Sequence, residues 1–486
     1  MKGRDWALLT DLYELTMMQG YYETGSYKRQ VVFDLFYRNN PSGNGYAITA
    51  GLEQAIEYIN NLHFTEEDIA YLSGLQLFSE DFIAYLKDFH FTGEIYAIPE
   101  GTVVFPREPL MRIKAPIMEA QLVETALLNI INHQSLIATK AARVVWAAKG
   151  DPVMEFGLRR AQGPDAGTWG ARAAVIGGCC GTSNVLTGKL FDVPVKGTHA
   201  HSWVMSFPDE LSAFRAYAKM FPDACLLLVD TYNTLESGVP NAIQVFREMR
   251  EAGIPLKNYG IRLDSGDLAY LSKKAKIMLD EAGFSDAVIS ASSDLDENLI
   301  GSLKLQEAKI SLWGVGTKLI TSDDCPAFGG VYKMAAEEDA DGNFIPKIKL
   351  SNNTAKVTNP GIKKVFRIYD KATGKMKADL IALEEETIDE SAPLEISDDT
   401  AKWKKMRLES GTYTVRELLV PIFVDGKQVY ESPKVMDIQA YCNGEKATLW
   451  DEQMRINNPH ILPVDLSDRL LRLKADLIEQ LSMDRK

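Results

Sequence analysis

The sequence predicts an α/β protein: an α/β barrel flanked by an N-terminal α+β domain and a small C-terminal appendage. Three observations predict it. Between about residues 150 and 320, short apolar runs alternate with stretches of helical period, the pattern of βα units around a parallel sheet. Polar clusters follow directly after six of those runs. A barrel draws its site from many strand ends in this way, whereas a doubly wound sheet gathers it at one switch point. Before residue 117 the strand-like segments are joined by short turns, which implies antiparallel pairing. The expected domains are 1–117 (α+β), 118–350 (barrel) and 351–486, a C-terminal segment packing on the N-terminal domain with a surface linker at about 375–400.

Taken in order, Asp11 and Glu14 form a capping box that opens a helix over 11–22. Leu12, Leu15 and Met18 fall on its apolar stripe and Tyr13 lies off it. Residues 31–37 read as a strand ended by Asn39-Asn40-Pro41-Ser42-Gly43. Helices follow at about 50–61, 66–74 and 79–89, the last two capped by Thr65 and Ser79. Strand-like segments at 94–98, 102–105 and 110–114 precede a long helical pattern over 118–148. Strands are then expected at 153–156, 193–195, 225–229, 259–263, 287–290 and 312–315, with helices at about 209–220, 239–252, 268–282 and 297–307. Beyond 334 come a hairpin turn at 339–343, a strand at 347–350, and a basic run (Lys356, Lys363, Lys364, Arg367) read as a solvated face. A terminal helix covers 465–482.

At 486 residues, two or three domains are expected, and the 46% hydrophobic and 25% charged fractions suit a soluble globular protein. The 53 lysines and arginines against 67 acids leave a net charge of −14, which argues against nucleic acid and anionic membrane partners. An anionic small substrate in a local basic pocket stays compatible with it. Five cysteines show neither a C-x-x-C pair nor zinc spacing, as suits reduced thiols. Met1–Asp5 leads into no signal-like core, and no apolar run approaches the ~18 residues of a membrane span. A cytoplasmic location is expected.

The chemistry lies at the strand ends. In Gly197-Thr198-His199-Ala200-His201-Ser202, an extended backbone would turn both imidazoles to one side. Phosphate chemistry, metal binding and acid–base work are all open to such a pair. Asp264-Ser265-Gly266-Asp267 offers two carboxylates on a turn, able to hold a ribose diol, Mg²⁺ or both. Ser265 or Asp267 can equally cap the next helix, which leaves Asp264 without a capping duty. Gly314 and Gly316, followed by Thr317, make a turn that can present backbone N–H groups to a phosphate, without Walker spacing. Phe156 supplies a flat aromatic face, and Arg159 and Arg160 supply guanidiniums for a carboxylate or phosphate. Arg262, in an apolar strand, would point inward at a cost unless an anion met it. A phosphorylated pentose meeting a flat anionic ring fits these parts.

Five stretches in order (Asp11–Met17, Phe156–Pro164, Gly197–Ser202, Ile261–Asp267 and Trp313–Thr317) resemble the motifs of bacterial nicotinate phosphoribosyltransferases. The resemblance covers nearly the whole chain. It implies a type II phosphoribosyltransferase fold, an irregular α/β barrel beside an N-terminal α+β domain, in a homodimer with shared active sites. It implies ATP-coupled transfer of a phosphoribosyl group from phosphoribosyl pyrophosphate to nicotinate, giving nicotinate mononucleotide and pyrophosphate for NAD biosynthesis. Mg²⁺ and ATP are implied, and no organic prosthetic group. By the same resemblance His201 is a phosphorylated histidine, and Tyr13 (from the second subunit) and Thr198 are nicotinate contacts. Phe156 is the stacking aromatic, Arg159 and Arg262 are anion receptors, and Asp264 and Thr317 are phosphoribosyl contacts. Ser265, Asp267, Gly314 and Gly316 complete the expected substrate loops, and Asp264 with Asp267 are the expected Mg²⁺ ligands. His199 has no counterpart. A nicotinamide-using relative would need an acidic residue facing the amide, and a quinolinate enzyme would need two carboxylate receptors in a much shorter chain. A His-x-His metal hydrolase would need histidines on later strands, and only His460 follows His201. A non-catalytic binding protein of this fold would not need candidates at every strand end.

Overall fold

A computed structural model describes residues 6–353, 356–397 and 403–483. The leader reading at Met1–Asp5, and the last residues of the expected 375–400 linker, lie outside the described residues. The chain forms two compact units: Met1–Leu136 with Ala327–Pro433 and Ala440–Lys486, and Ile137–Pro326 with Lys434–Gln439. The expected boundaries at 117 and 350 are therefore displaced. The chain leaves the first unit within the helix Glu124–Ala147, and the 118–148 pattern is two helices, Ile117–Leu122 and Glu124–Ala147, separated at Val123.

The first unit is built on a seven-stranded antiparallel sheet. Its order is Phe344–Pro346, Gly330–Glu338, Gln30–Tyr37, Met111–Pro116, Glu94–Ala97, Val420–Val424 and Lys427–Gln428. Gln30–Tyr37 lies at its interior and is buried along most of its length, which explains its nearly continuous apolar run. The helix Leu12–Glu23 carries the expected Asp11–Glu14 capping box and buries Leu15 and Met18. Leu12, expected on the same stripe, is exposed. The expected strand at 347–350 is displaced to Phe344–Pro346, which ends at Pro346.

A second sheet in this unit corrects two expectations. Its order is Tyr413–Glu417, Lys363–Asp370, Met376–Leu383 and Val464–Leu466. Of the basic run read as a solvated face, Lys356 is exposed, but Lys363, Lys364 and Arg367 lie on the buried strand Lys363–Asp370 and meet carboxylates. Lys363 Nζ lies 2.8 Å from Asp34, and Arg367 lies 2.6 Å from Asp379 and 3.2 Å from Glu445. The segment read as a surface linker begins with the buried strand Met376–Leu383, which holds Asp379, and the run of acidic residues from Glu384 to Glu386 follows that strand.

The second unit holds a five-stranded parallel sheet: Val153–Glu155, Leu312–Val315, Val288–Ala291, Tyr259–Leu263 and Cys225–Leu228 in spatial order. Helices Val239–Glu251, Leu268–Glu281 and Glu297–Leu305 link successive strands, as βα units require. Beyond Val153–Glu155 the sheet continues only by single bridges, Glu155 to Thr182 and Thr182 to Val195. Among the described residues no ladder joins this run to Cys225–Leu228, so the pairing is an open arc, and no closed barrel is formed where an irregular one was expected. Pro194 helps keep the run to single bridges, because its carbonyl accepts the Thr182 N–H while proline has no N–H to extend a ladder on that side. Four α-helices of this unit escape sequence reading, Pro164–Gly177, Val185–Phe191, His201–Met205 and Thr317–Ile320. The first is rich in Gly and Ala and buried on nearly every side, so it lacks an amphipathic period.

Candidate active site

The parallel strands deliver their C-terminal residues around one cavity of about 460 Å³. A second cavity of about 490 Å³ runs among the strands toward their N-terminal ends. Both are lined by Phe156, Gly197, Thr198, Arg262 and Gly314, so these residues form a shared neck.

Phe156 follows Val153–Glu155, and its N–H donates to the Val315 carbonyl at 2.8 Å. Its ring lies across Gly314, where a Cβ would come within 2.5 Å of the ring. A glycine is needed for that crossing. Beneath the ring, the Gly157 N–H and the Thr182 hydroxyl both donate to the Glu155 carboxylate, which is fully buried. Burial raises the Glu155 carboxyl above its ordinary range, against those two hydrogen bonds.

Arg262 projects from Tyr259–Leu263 into the neck. It donates to the Thr198 hydroxyl and, at 3.0 Å, to the His199 carbonyl. Its Nε is buried with no partner. Burial lowers the guanidinium from its ordinary value. Arg159 stands in the single turn Leu158–Arg160, exposed at the outer cavity.

The two histidines do not share a face. Ala200 is extended at φ −102°, ψ 170°, and the chain turns into the helix His201–Met205 immediately after it. His201 is half-exposed, with Nδ1 3.0 Å from the Thr231 hydroxyl and Nε2 3.7 Å from Asp264. His199 is buried, edge-on to Tyr217.

Asp264 lines the outer cavity, and its carboxylate accepts the Ser292 hydroxyl. Its N–H donates to Asp230 at 2.8 Å, and the Ser265 hydroxyl donates to the same Asp230 oxygen at 2.7 Å. Asp267 accepts the Tyr270 N–H at 2.9 Å and caps Leu268–Glu281. Of the two carboxylates expected to hold a metal, Asp267 is engaged as a helix cap, and Asp264 is joined to Asp230 through its backbone N–H. Gly316 lies against the Phe156 carbonyl and precedes the short helix Thr317–Ile320.

Three family models match in chain order: the nicotinate phosphoribosyltransferase N-terminal domain over residues 8–132, the nicotinate phosphoribosyltransferase family over 152–324, and its C-terminal domain over 362–474. The chain is 50% identical to Bacillus subtilis nicotinate phosphoribosyltransferase over 467 residues, 96% of this chain and 94% of that one. It belongs to the nicotinate phosphoribosyltransferase family. The Caenorhabditis elegans nicotinate phosphoribosyltransferase is 36% identical over 97% of this chain and 93% of its own. The solved human nicotinic acid phosphoribosyltransferase superposes with a TM-score of 0.83 at 29% identity, covering 97% of this chain and all of that one.

Tyr13 belongs to the first unit, half-exposed on Leu12–Glu23. Its phenol is pushed up to about 12 by burial and by Glu124 and Glu14. Four residues of the site escaped a role in sequence reading: Glu155, Asp230, Thr231 and Ser292. The last three stand directly after strands, which is the signal that finds them; Glu155 is the closing residue of an apolar strand and gives none. Among the described residues no group of three or more His, Cys, Asp or Glu is placed to hold a metal ion. Asp230 Oδ1 is buried and unpartnered beside Asp264. This pair fits Mg²⁺ in the mode where phosphates and water supply most of its ligands.

Proposed function

We propose that this chain transfers the phosphoribosyl group of phosphoribosyl pyrophosphate to nicotinate, giving nicotinate mononucleotide and pyrophosphate for NAD salvage. The observation that carries the reading is the buried, unpartnered Nε of Arg262 in a neck walled by the Phe156 ring and the Thr198 hydroxyl. A pyridine ring stacked on Phe156 would set its carboxylate against that donor. An amide would leave it without a charge partner, which favours nicotinate over nicotinamide.

The reaction asks the residues to bind and orient. The pyridine nitrogen carries the attacking lone pair, the new bond forms at C1 of the ribose, and the C1–oxygen bond to pyrophosphate breaks. Asp264, held by Ser292 and Asp230, is placed to take ribose hydroxyls, and Ser265, Gly316 and Thr317 the phosphate. Bound at Asp230 and Asp264, Mg²⁺ would supply charge neutralisation for pyrophosphate.

ATP is proposed as co-substrate, with His201 accepting its γ-phosphoryl group: a nitrogen–phosphorus bond forms as the bond to ADP breaks. Thr231 occupies Nδ1, which leaves Nε2 as the nitrogen open to the cavity. Water later releases phosphate. The open arc, continued past Thr182 and Val195, serves as the irregular barrel of this unit. A cytoplasmic location is part of the same reading.

Pyrophosphate release assayed with nicotinate, nicotinamide and quinolinate tests the substrate. Arg262→Ala removes a charge-assisted contact of ~1.5–3 kcal/mol, so the KM for nicotinate or the turnover is expected to suffer by about tenfold or more. Unchanged kinetics in folded protein would remove Arg262 from the site.

A homodimer with shared sites is also proposed, resting on Tyr13, which stands exposed and off the buried stripe of its helix. Mixing inactive Tyr13→Ala with inactive His201→Ala is then expected to restore activity through one intact hybrid site. No recovery after verified subunit exchange would place each site within a single chain.

A further inference from the structure

We propose that His199 is a positioning residue for the pyridine-carboxylate receptor: its neutral imidazole spans the gap left by the open sheet and fixes the loop that orients Arg262. This rests on the nicotinate reading above.

Cys225–Leu228 is the last strand of the arc, so its outer edge has no strand partner. Leu228 is fully buried there, where an unpaired N–H is costly. That N–H donates to His199 Nε2 at 3.3 Å. Nδ1 lies 3.4 Å from the Ala200 carbonyl, the side on which a ring N–H can donate. The two partners therefore select the tautomer with the proton on Nδ1 and the lone pair on Nε2. The ring packs against Tyr217 and Phe214, with centroids 4.7 and 6.2 Å away. Burial, then Arg262 and His201, pull its titration down to about 4, so it stays neutral at neutral pH. A charged ring would lose the acceptor that Leu228 uses.

The same residue meets Arg262 through its backbone. The His199 carbonyl and the neighbouring Thr198 hydroxyl each take one N–H of a terminal guanidinium nitrogen, and Nε is buried without a protein partner. The loop is thus pinned on one side by an imidazole at a strand edge and on the other by the anion receptor. If the imidazole lets go, the carbonyl shifts and Nε no longer points at the carboxylate position. With both ring nitrogens engaged by backbone groups, His199 is not half of a metal-binding pair with His201.

The test compares His199→Leu, which fills the space without an acceptor, with His199→Gln, which places an amide oxygen near the Nε2 position. For His199→Leu the KM for nicotinate is expected to rise by about tenfold or more. The KM for phosphoribosyl pyrophosphate should stay within about twofold, and His199→Gln should recover most of the loss. A general folding defect would raise both constants and would not be rescued. If His199→Leu does not fold, His199→Asn replaces it, because its amide is too short to reach Leu228. Hydrogen exchange at the Leu228 amide gives a readout independent of turnover and should accelerate in the Leu or Asn variant but not in the Gln variant. An unchanged nicotinate KM, equal damage in both variants, or unchanged Leu228 exchange would overturn the role of His199. Wild-type protein that releases no pyrophosphate with nicotinate would overturn the functional reading instead, while the Leu228 exchange still reports on the bridge.

Discussion

His201→Ala is expected to abolish ATP hydrolysis and acid-labile labelling from γ-phosphate-labelled ATP, while slower, ATP-independent synthesis of nicotinate mononucleotide survives at high substrate concentration. Glycosyl transfer asks little of an imidazole, because the pyridine supplies its own lone pair. His201 instead stands at the rim, held by Thr231 and facing Asp264, where a phosphoryl group would add charge and acceptor oxygens beside the ribose loop. Such a group shifts the balance between tight and loose states only by binding them differently. Coupled ATPase and product assays on the variant decide the matter. ATP hydrolysis persisting in step with product formation would move the switch away from His201.

The largest stability effects are expected in the buried cluster around Arg367. This guanidinium donates to both Asp379 oxygens, to the Val103 carbonyl and to Glu445, and neither it nor Asp379 is exposed. Asp379→Asn leaves the cation short of its closest partner and is expected to cost roughly 3–5 kcal/mol. Glu108 behaves in the opposite way. Burial, then Asp379, hold its carboxyl well above the ordinary range, and its Oε1 is buried without a hydrogen-bond partner. Its folded-state value is raised, so its contribution is fully present below the ordinary carboxyl range and is lost as pH rises toward the raised value. Glu108→Gln removes the titrating group and keeps an acceptor for the Phe105 N–H. It is expected to change stability by less than ~1 kcal/mol at low pH and to become the more stable protein as pH rises. Urea midpoints measured across pH check both. An Asn variant as stable as wild type, or a Gln variant whose difference from wild type ignores pH, would contradict this account.

Periodicity and punctuation made the βα units legible. The strands at 153, 225, 259, 288 and 312 and the helices between them fall where apolar runs and caps placed them. Placement after a strand likewise marked Asp264, Thr198 and Thr317. What stayed hidden was decided by tertiary partners. Lys363 and Arg367 look like a surface run until Asp34 and Asp379, remote in sequence, are brought against them. The Asp264–Asp267 spacing suggested a shared ion, and only the fold shows Asp267 turned to a helix cap and Asp230 brought against Asp264. Closure of the sheet was equally illegible, because a Pro-interrupted run and a side chain replace the ladder that periodicity implies.

The interleaving of the first unit bears on how the molecule is made. Val31 pairs with Glu337, which follows it by roughly 300 residues. At ~5–20 residues per second, synthesis takes on the order of 15–60 s to supply that partner. Until then Gln30–Tyr37 can be covered only on the side of Met111–Pro116, and its other edge is open to pairing with any passing strand. Residues 137–326 meanwhile leave the ribosome as a contiguous stretch with mostly local βα contacts, able to collapse at once. The nascent chain thus carries an unfinished sheet while the second unit, lacking only Lys434–Gln439, can already form, and the window for aggregation lasts as long as the translation of everything between those two strands.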